Sequence, residues 1–167
     1  KAGIGLKAIG PVKDAMGDPL KSKTITLSCG KLATGVTIKP WTGIFMLKNT
    51  TSPETYFQTA FRVQSPWSVE SDSSNLQKEI IKKECYLFDF APNRTLRLVT
   101  DYSCRLNITD SQPELKVEEF ISFLPVLCFD GSSMRQVNAQ EVLDFSLVGT
   151  SGSQLAKKFE NPRLVQV

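Results

Sequence analysis

Six residues of this 167-residue chain have the types and the spacing to meet phosphate. Lys31, Thr34, Gly35 and Thr37 lie in the run CGKLATGVTIKPW, between two short apolar segments at 24–28 and 43–47. Small Thr and Gly residues at a strand-to-loop junction let main-chain N–H groups approach a phosphate closely, and Lys31 adds a charge nearby. A loop of this kind holds a nucleic-acid backbone by shape and charge and is indifferent to base sequence. Downstream, Gln58 and Arg62 stand one helical turn apart in SPETYFQTAFRVQSPW. An arginine on a helix packed by Tyr56, Phe57 and Phe61 can reach a phosphate held by another domain, and such a finger is worth ~10³ or more in rate. Gln58 would orient the same site. Plainer readings stand beside these: Thr34-Gly35 as a simple turn, Arg62 as a surface arginine or structural ion pair, and Trp41 and Trp67 as apolar packing instead of base stacking.

Several other chemistries are excluded by what the chain lacks. There is no histidine, so histidine-dependent catalysis is out, and Cys29, Cys85, Cys104 and Cys128 have none of the close-paired spacings that hold zinc. Gly30-Lys31 is not the end of a phosphate-binding P-loop, because Ile25 and Leu32 occupy the positions that need Gly and Ser or Thr. No G-x-S-x-G elbow occurs, and no local spacing brings two carboxylates together. No resident metal site is therefore expected. Asn49, Asn93 and Asn107 begin glycosylation-type triplets, which keeps open a secreted, disulfide-bonded domain; the apolar surroundings of Cys29 and Cys85 favour reduced core thiols.

The elements that must position these residues follow from apolar patterning. Thr24–Ser28, Gly43–Leu47 and Cys85–Phe90 are short β-prone runs bounded by turn residues, as in buried strands. Ser52-Pro53-Glu54 starts a helix with Tyr56, Phe57, Ala60 and Phe61 on its apolar side. Residues 65–79 are polar and Ser-rich and read as a mobile surface loop. Past Pro92 a helix carries Leu96, Val99, Tyr102 and Leu106. Strand and helix alternate, so the fold class is α/β with a parallel sheet. Then Ser111–Glu114 reads as a capping box opening a helix with Val117, Phe120, Ile121 and Leu124. A hairpin joins 126–129 to 134–137 about Asp130-Gly131, and Asn138 caps a helix carrying Ala139, Val142, Leu143 and Leu147. A boundary near residue 110 separates an α/β piece, 1–110, from a mostly helical appendage, 111–167.

Charge singles out the first segment: residues 1–67 hold nine Lys/Arg against three Asp/Glu, whereas 68–167 hold eleven against fourteen. A basic half suits a phosphate-bearing partner, though a merely solvated face reads the same way. No run approaches the ~20 apolar residues of a membrane span, and the first residues lack the apolar core of a signal peptide, so a cytoplasmic chain without membrane contact is expected. The polar, turn-rich opening from Lys1 suggests a piece of a longer polypeptide.

Thr34-Gly35-Val36 after an apolar run, and Gln58-x-x-Phe61-Arg62 on the next helix, resemble motifs V and VI of the second RecA-like domain of superfamily 2 helicases. The wording Lys31-Leu32-x-Thr34-Gly35-Val36-Thr37, Trp41 and Phe61-Arg62-Val63-Gln64-Ser65-Pro66-Trp67 is similar to restriction-enzyme motor subunits, type I or type III-like, and related phage or plasmid helicases. Cys85–Phe90 followed by Ala91-Pro-Asn-Arg-Thr-Leu96 continues the likeness. Both motifs depart from the family's wording: motif VI usually reads Q-x-x-G-R-x-G-R, but Phe61 replaces the first Gly and Ser65 the second Arg; and Thr37 stands where motif V often has Asp.

The resemblance implies a partial RecA-like parallel sheet flanked by helices. It assigns Lys31, Thr34, Gly35 and Thr37 to double-stranded DNA, Arg62 and Gln58 to ATP hydrolysis, and Gly35 and Arg62 to nucleotide contact. The Walker A and acidic motifs would lie on a first RecA-like domain of the same polypeptide. ATP with Mg²⁺ is thus expected in the intact parent and none on this chain alone, which is expected to be inactive. Methyltransferase or specificity subunits are implied partners. The alternative is a non-catalytic α/β module that binds nucleic acid or protein.

Overall fold

Branched and aromatic residues at 43–46 and 86–89 form a parallel strand pair, as their composition predicts. In the computed structural model β1 (Gly43–Met46) pairs with β4 (Tyr86–Asp89), Gly43 opposite Tyr86 and Met46 opposite Asp89. The structure describes residues 6–30, 32, 35–70, 78–106, 111–129 and 131–147. Its α/β chain separates into two compact units, Lys1–Asn49 with Thr55–Asp89 and Thr50–Glu54 with Phe90–Val167. The helix at 92–106 belongs to the second unit, whereas the sequence reading keeps it in the first.

In the first unit, α1 (Leu6–Met16) is a helix where the sequence reads as turn-rich. Gly10 and Pro11 obscure it, but Ala8, Ile9, Val12 and Met16 recur at helical spacing and pack against Leu32, Val36, Ile38 and Trp41. The expected strand at Thr24–Ser28 does not form. Ile25 and Leu27 are 87% and 86% exposed there, and a strand needs a hydrogen-bonding neighbour that this segment does not meet. The chain continues through α2 (Pro53–Ala60) and a 3₁₀ segment, Phe61–Gln64. Tyr56 and Phe57 are fully buried and meet edge to face, with Phe57 also against Phe61.

The segment read as a polar loop contains an antiparallel hairpin, β2 (Ser68–Glu70) with β3 (Lys78–Ile80). Lys78, Glu79 and Ile80 are all exposed, so the ribbon has no apolar alternation for sequence reasoning to detect. The β1–β4 pair buries Met46 and half-buries Ile44 and Leu87, while its other face shows Phe45, Tyr86 and Phe88. Phe45 and Phe88 stack with ring centres 4.9 Å apart and Tyr86 continues the ladder, each ring 43–55% exposed.

In the second unit three helices pack on one another: α3 (Pro92–Leu106), α4 (Pro113–Phe123) and α5 (Ala139–Leu147). Their core is Leu96, Leu98, Val99, Val117, Phe120, Ile121 and Val142. Leu106, expected on the buried side of α3, is exposed at its end. The capping box at Ser111 does not form: Gln112 is the N-cap, with no side-chain cap, because Pro113 fixes the first helical position one residue later. The reciprocal box occurs at α5, where the Asn138 Oδ1 accepts from Glu141 N (2.9 Å) and Glu141 Oε2 accepts from Asn138 N (3.1 Å). The expected hairpin is present as β5 (Leu127–Phe129) and β6 (Met134–Gln136), with Gly131 at φ +99°. The side chain of Leu147 lies outside the described residues.

Candidate phosphate-contact site

The run 35–39 alternates between exposure and burial. Gly35 is exposed at φ +67°, Val36 and Ile38 are buried against α1, and Thr37 between them is exposed. Gly35 takes the left-handed conformation that strains any L side chain, while open space surrounds the place of its missing Cβ. The main chain is therefore approachable at Gly35 and pinned one residue later by a valine peg. A hydrogen bond from Trp41 N to Ile38 O at 3.2 Å closes the turn that follows. Trp41 itself is half-buried against the α1 cluster, in keeping with the packing reading.

Arg62 comes to this loop. Its Nη1 donates to the carbonyl oxygen of Val36 at 2.8 Å, across 26 positions of sequence, from the 3₁₀ segment that continues α2. Gln58, one turn earlier, is exposed on α2. Of the residues singled out from sequence, the structure joins Gly35, Thr37 and Arg62 through one segment of main chain. Lys31 and Thr34 lie outside the described residues.

A residue that sequence reasoning missed completes the arrangement. Lys82, just past β3, donates from Nζ to three main-chain carbonyls: Val63 at 2.7 Å, Lys39 at 2.8 Å and Trp41 at 3.0 Å. Burial pushes its ammonium below the ordinary lysine value, and Cys85 acts the other way. The doublet Lys82-Lys83 reads as solvated surface charge, and nothing local marks the first lysine as different.

Charge follows the same division. The unit that carries the loop, Lys1–Asn49 with Thr55–Asp89, has twelve Lys/Arg against seven Asp/Glu; the other has eight against ten. The four cysteines are free thiols, and Cys29, expected in the core, is exposed because the apolar run before it finds no strand partner. Among the described residues no group of three or more His, Cys, Asp or Glu side chains could hold a metal ion, and no helix is long and apolar enough to cross a membrane.

No family model and no solved structure matches the chain. It is similar to a protein of Mycoplasma pneumoniae provisionally described as the C-terminus of the type II restriction enzyme and methyltransferase RM.MpnORF110P. The two are 32% identical over 143 residues, which cover 83% of this chain and 18% of that protein. The chain thus spans less than a fifth of the length of this relative.

Proposed function

We propose that this chain is part of the motor of a restriction-modification enzyme, the section of an ATP-dependent DNA translocase that holds the DNA backbone and lends an arginine to nucleotide hydrolysis. The observation that carries the reading is the bond from Arg62 to Val36 O, which ties the candidate finger to the candidate clamp. The restriction-enzyme and methyltransferase description of the Mycoplasma relative supports the setting. The basic balance of the loop-bearing unit supports a phosphate-rich partner.

In this reading the exposed main chain at Gly35 and the hydroxyl of Thr37 meet DNA phosphate, with Lys31 and Thr34 beside them. The open space at Gly35 fits a close approach by a phosphate oxygen. ATP and Mg²⁺ are held by a first RecA-like domain of the same polypeptide, and bound there they supply the phosphoryl group and the charge that neutralises it. Arg62 adds positive charge from this side, exchanging the Val36 carbonyl for a phosphate oxygen; Gln58 orients the approach. Methyltransferase or specificity subunits complete the enzyme. The test uses both forms. This chain should bind double-stranded DNA with salt-sensitive affinity and hydrolyse no ATP, and Arg62→Ala in the intact parent should abolish DNA-stimulated turnover while nucleotide binding persists. Arg62-dependent ATP hydrolysis by this chain alone would sink the proposal.

The same bond favours a second reading, in which Arg62 is a structural arginine in a non-catalytic nucleic-acid- or protein-binding module. Unchanged ATP turnover in the Arg62→Ala parent, with DNA binding intact, selects it.

A further inference from the structure

An ammonium group has three N–H donors and no acceptor. Lys82 uses all three on main-chain oxygens from two separate stretches of chain: Lys39 and Trp41 in the loop that follows Thr37, and Val63, the residue after Arg62. Its own main chain is fixed as well, since Ile81 N and Lys82 N both donate to Trp67 O, at 3.0 and 3.2 Å, at the foot of the β2–β3 hairpin. Charge-assisted bonds of this kind are about twice as strong as neutral ones. An arginine could not replace them like for like, because a planar fork does not converge on three oxygens as a tetrahedral ammonium does.

We propose that Lys82 is a positioning residue that locks the 36–41 loop to the 3₁₀ segment, so that the DNA-backbone clamp and Arg62 behave as one rigid body. The proposal rests on the clamp-and-finger reading above for its functional half, and on hydrogen-bond geometry alone for its mechanical half. Two cations hold the loop at separate points: Arg62 at Val36, and Lys82 at Lys39 and Trp41. Neither point is a DNA contact. Lys82 spends its charge inward, on the carbonyls that set where Thr37 stands.

Trp41 and Trp67 are the two tryptophans of the chain, and Lys82 bonds the main chain of both. A Trp67→Phe background leaves Trp41 as the sole reporter. Lys82→Met keeps the length of the stem and removes the donors. Acrylamide quenching of Trp41, measured in folded protein below the melting range of both proteins, should rise about twofold as the loop opens locally. Affinity for a double-stranded DNA oligonucleotide should fall at every salt concentration with the slope of log K against log salt unchanged. A phosphate-contacting lysine would instead lower that slope by about one.

Unchanged quenching overturns the lock. Raised quenching with unaltered DNA affinity, or a slope reduced by one, overturns the positioning role. Failure of the unsubstituted chain to bind DNA overturns the clamp reading, and the quenching result then still judges the lock. If Lys82→Met does not fold, amide hydrogen exchange of the unsubstituted chain decides: residues 36–41 and 61–67 should open with one common free energy, and independent opening overturns the proposal.

Discussion

Arg62 Nη1 rests 2.8 Å from the carbonyl oxygen of Val36, the residue that follows a glycine with positive φ. Val36 is buried against α1, so the arginine holds a loop whose other side is already fixed by packing. Arg62→Ala should therefore destabilise the chain by about 1–3 kcal/mol, because a charged donor is lost and a carbonyl in a part-buried place goes without it. Urea denaturation should show a lower midpoint at unchanged m-value. On the proposed motor reading, the same change in the intact parent should abolish DNA-stimulated ATP turnover, a loss of ~10³ or more.

Gly35→Ala isolates main-chain conformation from packing. The added methyl meets open space, so its effect is the strain of φ +67°, roughly 1 kcal/mol. The denaturation midpoint should fall by that amount, and DNA affinity should weaken as the loop relaxes away from the left-handed turn. A neutral Gly35→Ala would show that the turn is not held in this conformation.

Lys31→Ala concerns a residue outside the described structure, and its expectation rests on the sequence. The slope of log K for DNA against log salt should fall in magnitude by about one, as for the loss of one phosphate contact. No change in slope removes Lys31 from the proposed interface.

Acid should loosen two helix starts of the second unit, at Glu54 and Glu141, in one direction. Glu141 is held below the usual carboxylate range chiefly by Arg135, then by Asn138 N. Glu54 is lowered first by a bond to its own main-chain N–H, then by Ser52 and Arg105, against the opposing effect of burial. A carboxylate with a depressed folded pKa stabilises the fold at neutral pH; that contribution begins to go once pH drops below the unfolded value, about 4.3, and is gone below the folded one. Both side chains are largely solvated, so the effect is small. Thermal melts from neutral pH to about pH 3 should show a shallower loss of Tm in Glu141→Gln than in the unsubstituted chain.

The sequence carries some of these features and hides others for physical reasons. β1, β4 and the helices of the second unit were legible because each has its own apolar stripe or its own start signal, such as Pro92 and Asn138. The parallel sheet followed from their alternation. Helix α1 was obscured by Gly10-Pro11, whose local preference is overridden by packing of Ala8 and Met16 against Val36 and Ile38. Thr24–Ser28 has strand composition without a strand partner, and composition cannot report that absence. Within the site, Gly35 and Arg62 could be picked out by residue type, but their connection through the Val36 carbonyl is tertiary. Lys82 left no trace at all, since its role depends on three oxygens that lie between 19 and 43 positions away in sequence.

The ladder of Phe45, Phe88 and Tyr86 has a practical consequence for handling the isolated chain. Parallel strands are ordinarily covered on both faces, and a ribbon that has two strands among the described residues and a water-facing aromatic ladder is adhesive. Its colloidal behaviour should be concentration-dependent, with light scattering that rises steeply on concentrating and falls when Phe88 is replaced by Thr. Dilution is therefore a control for every DNA-binding and unfolding measurement above, because self-association through these rings would otherwise pass for stability.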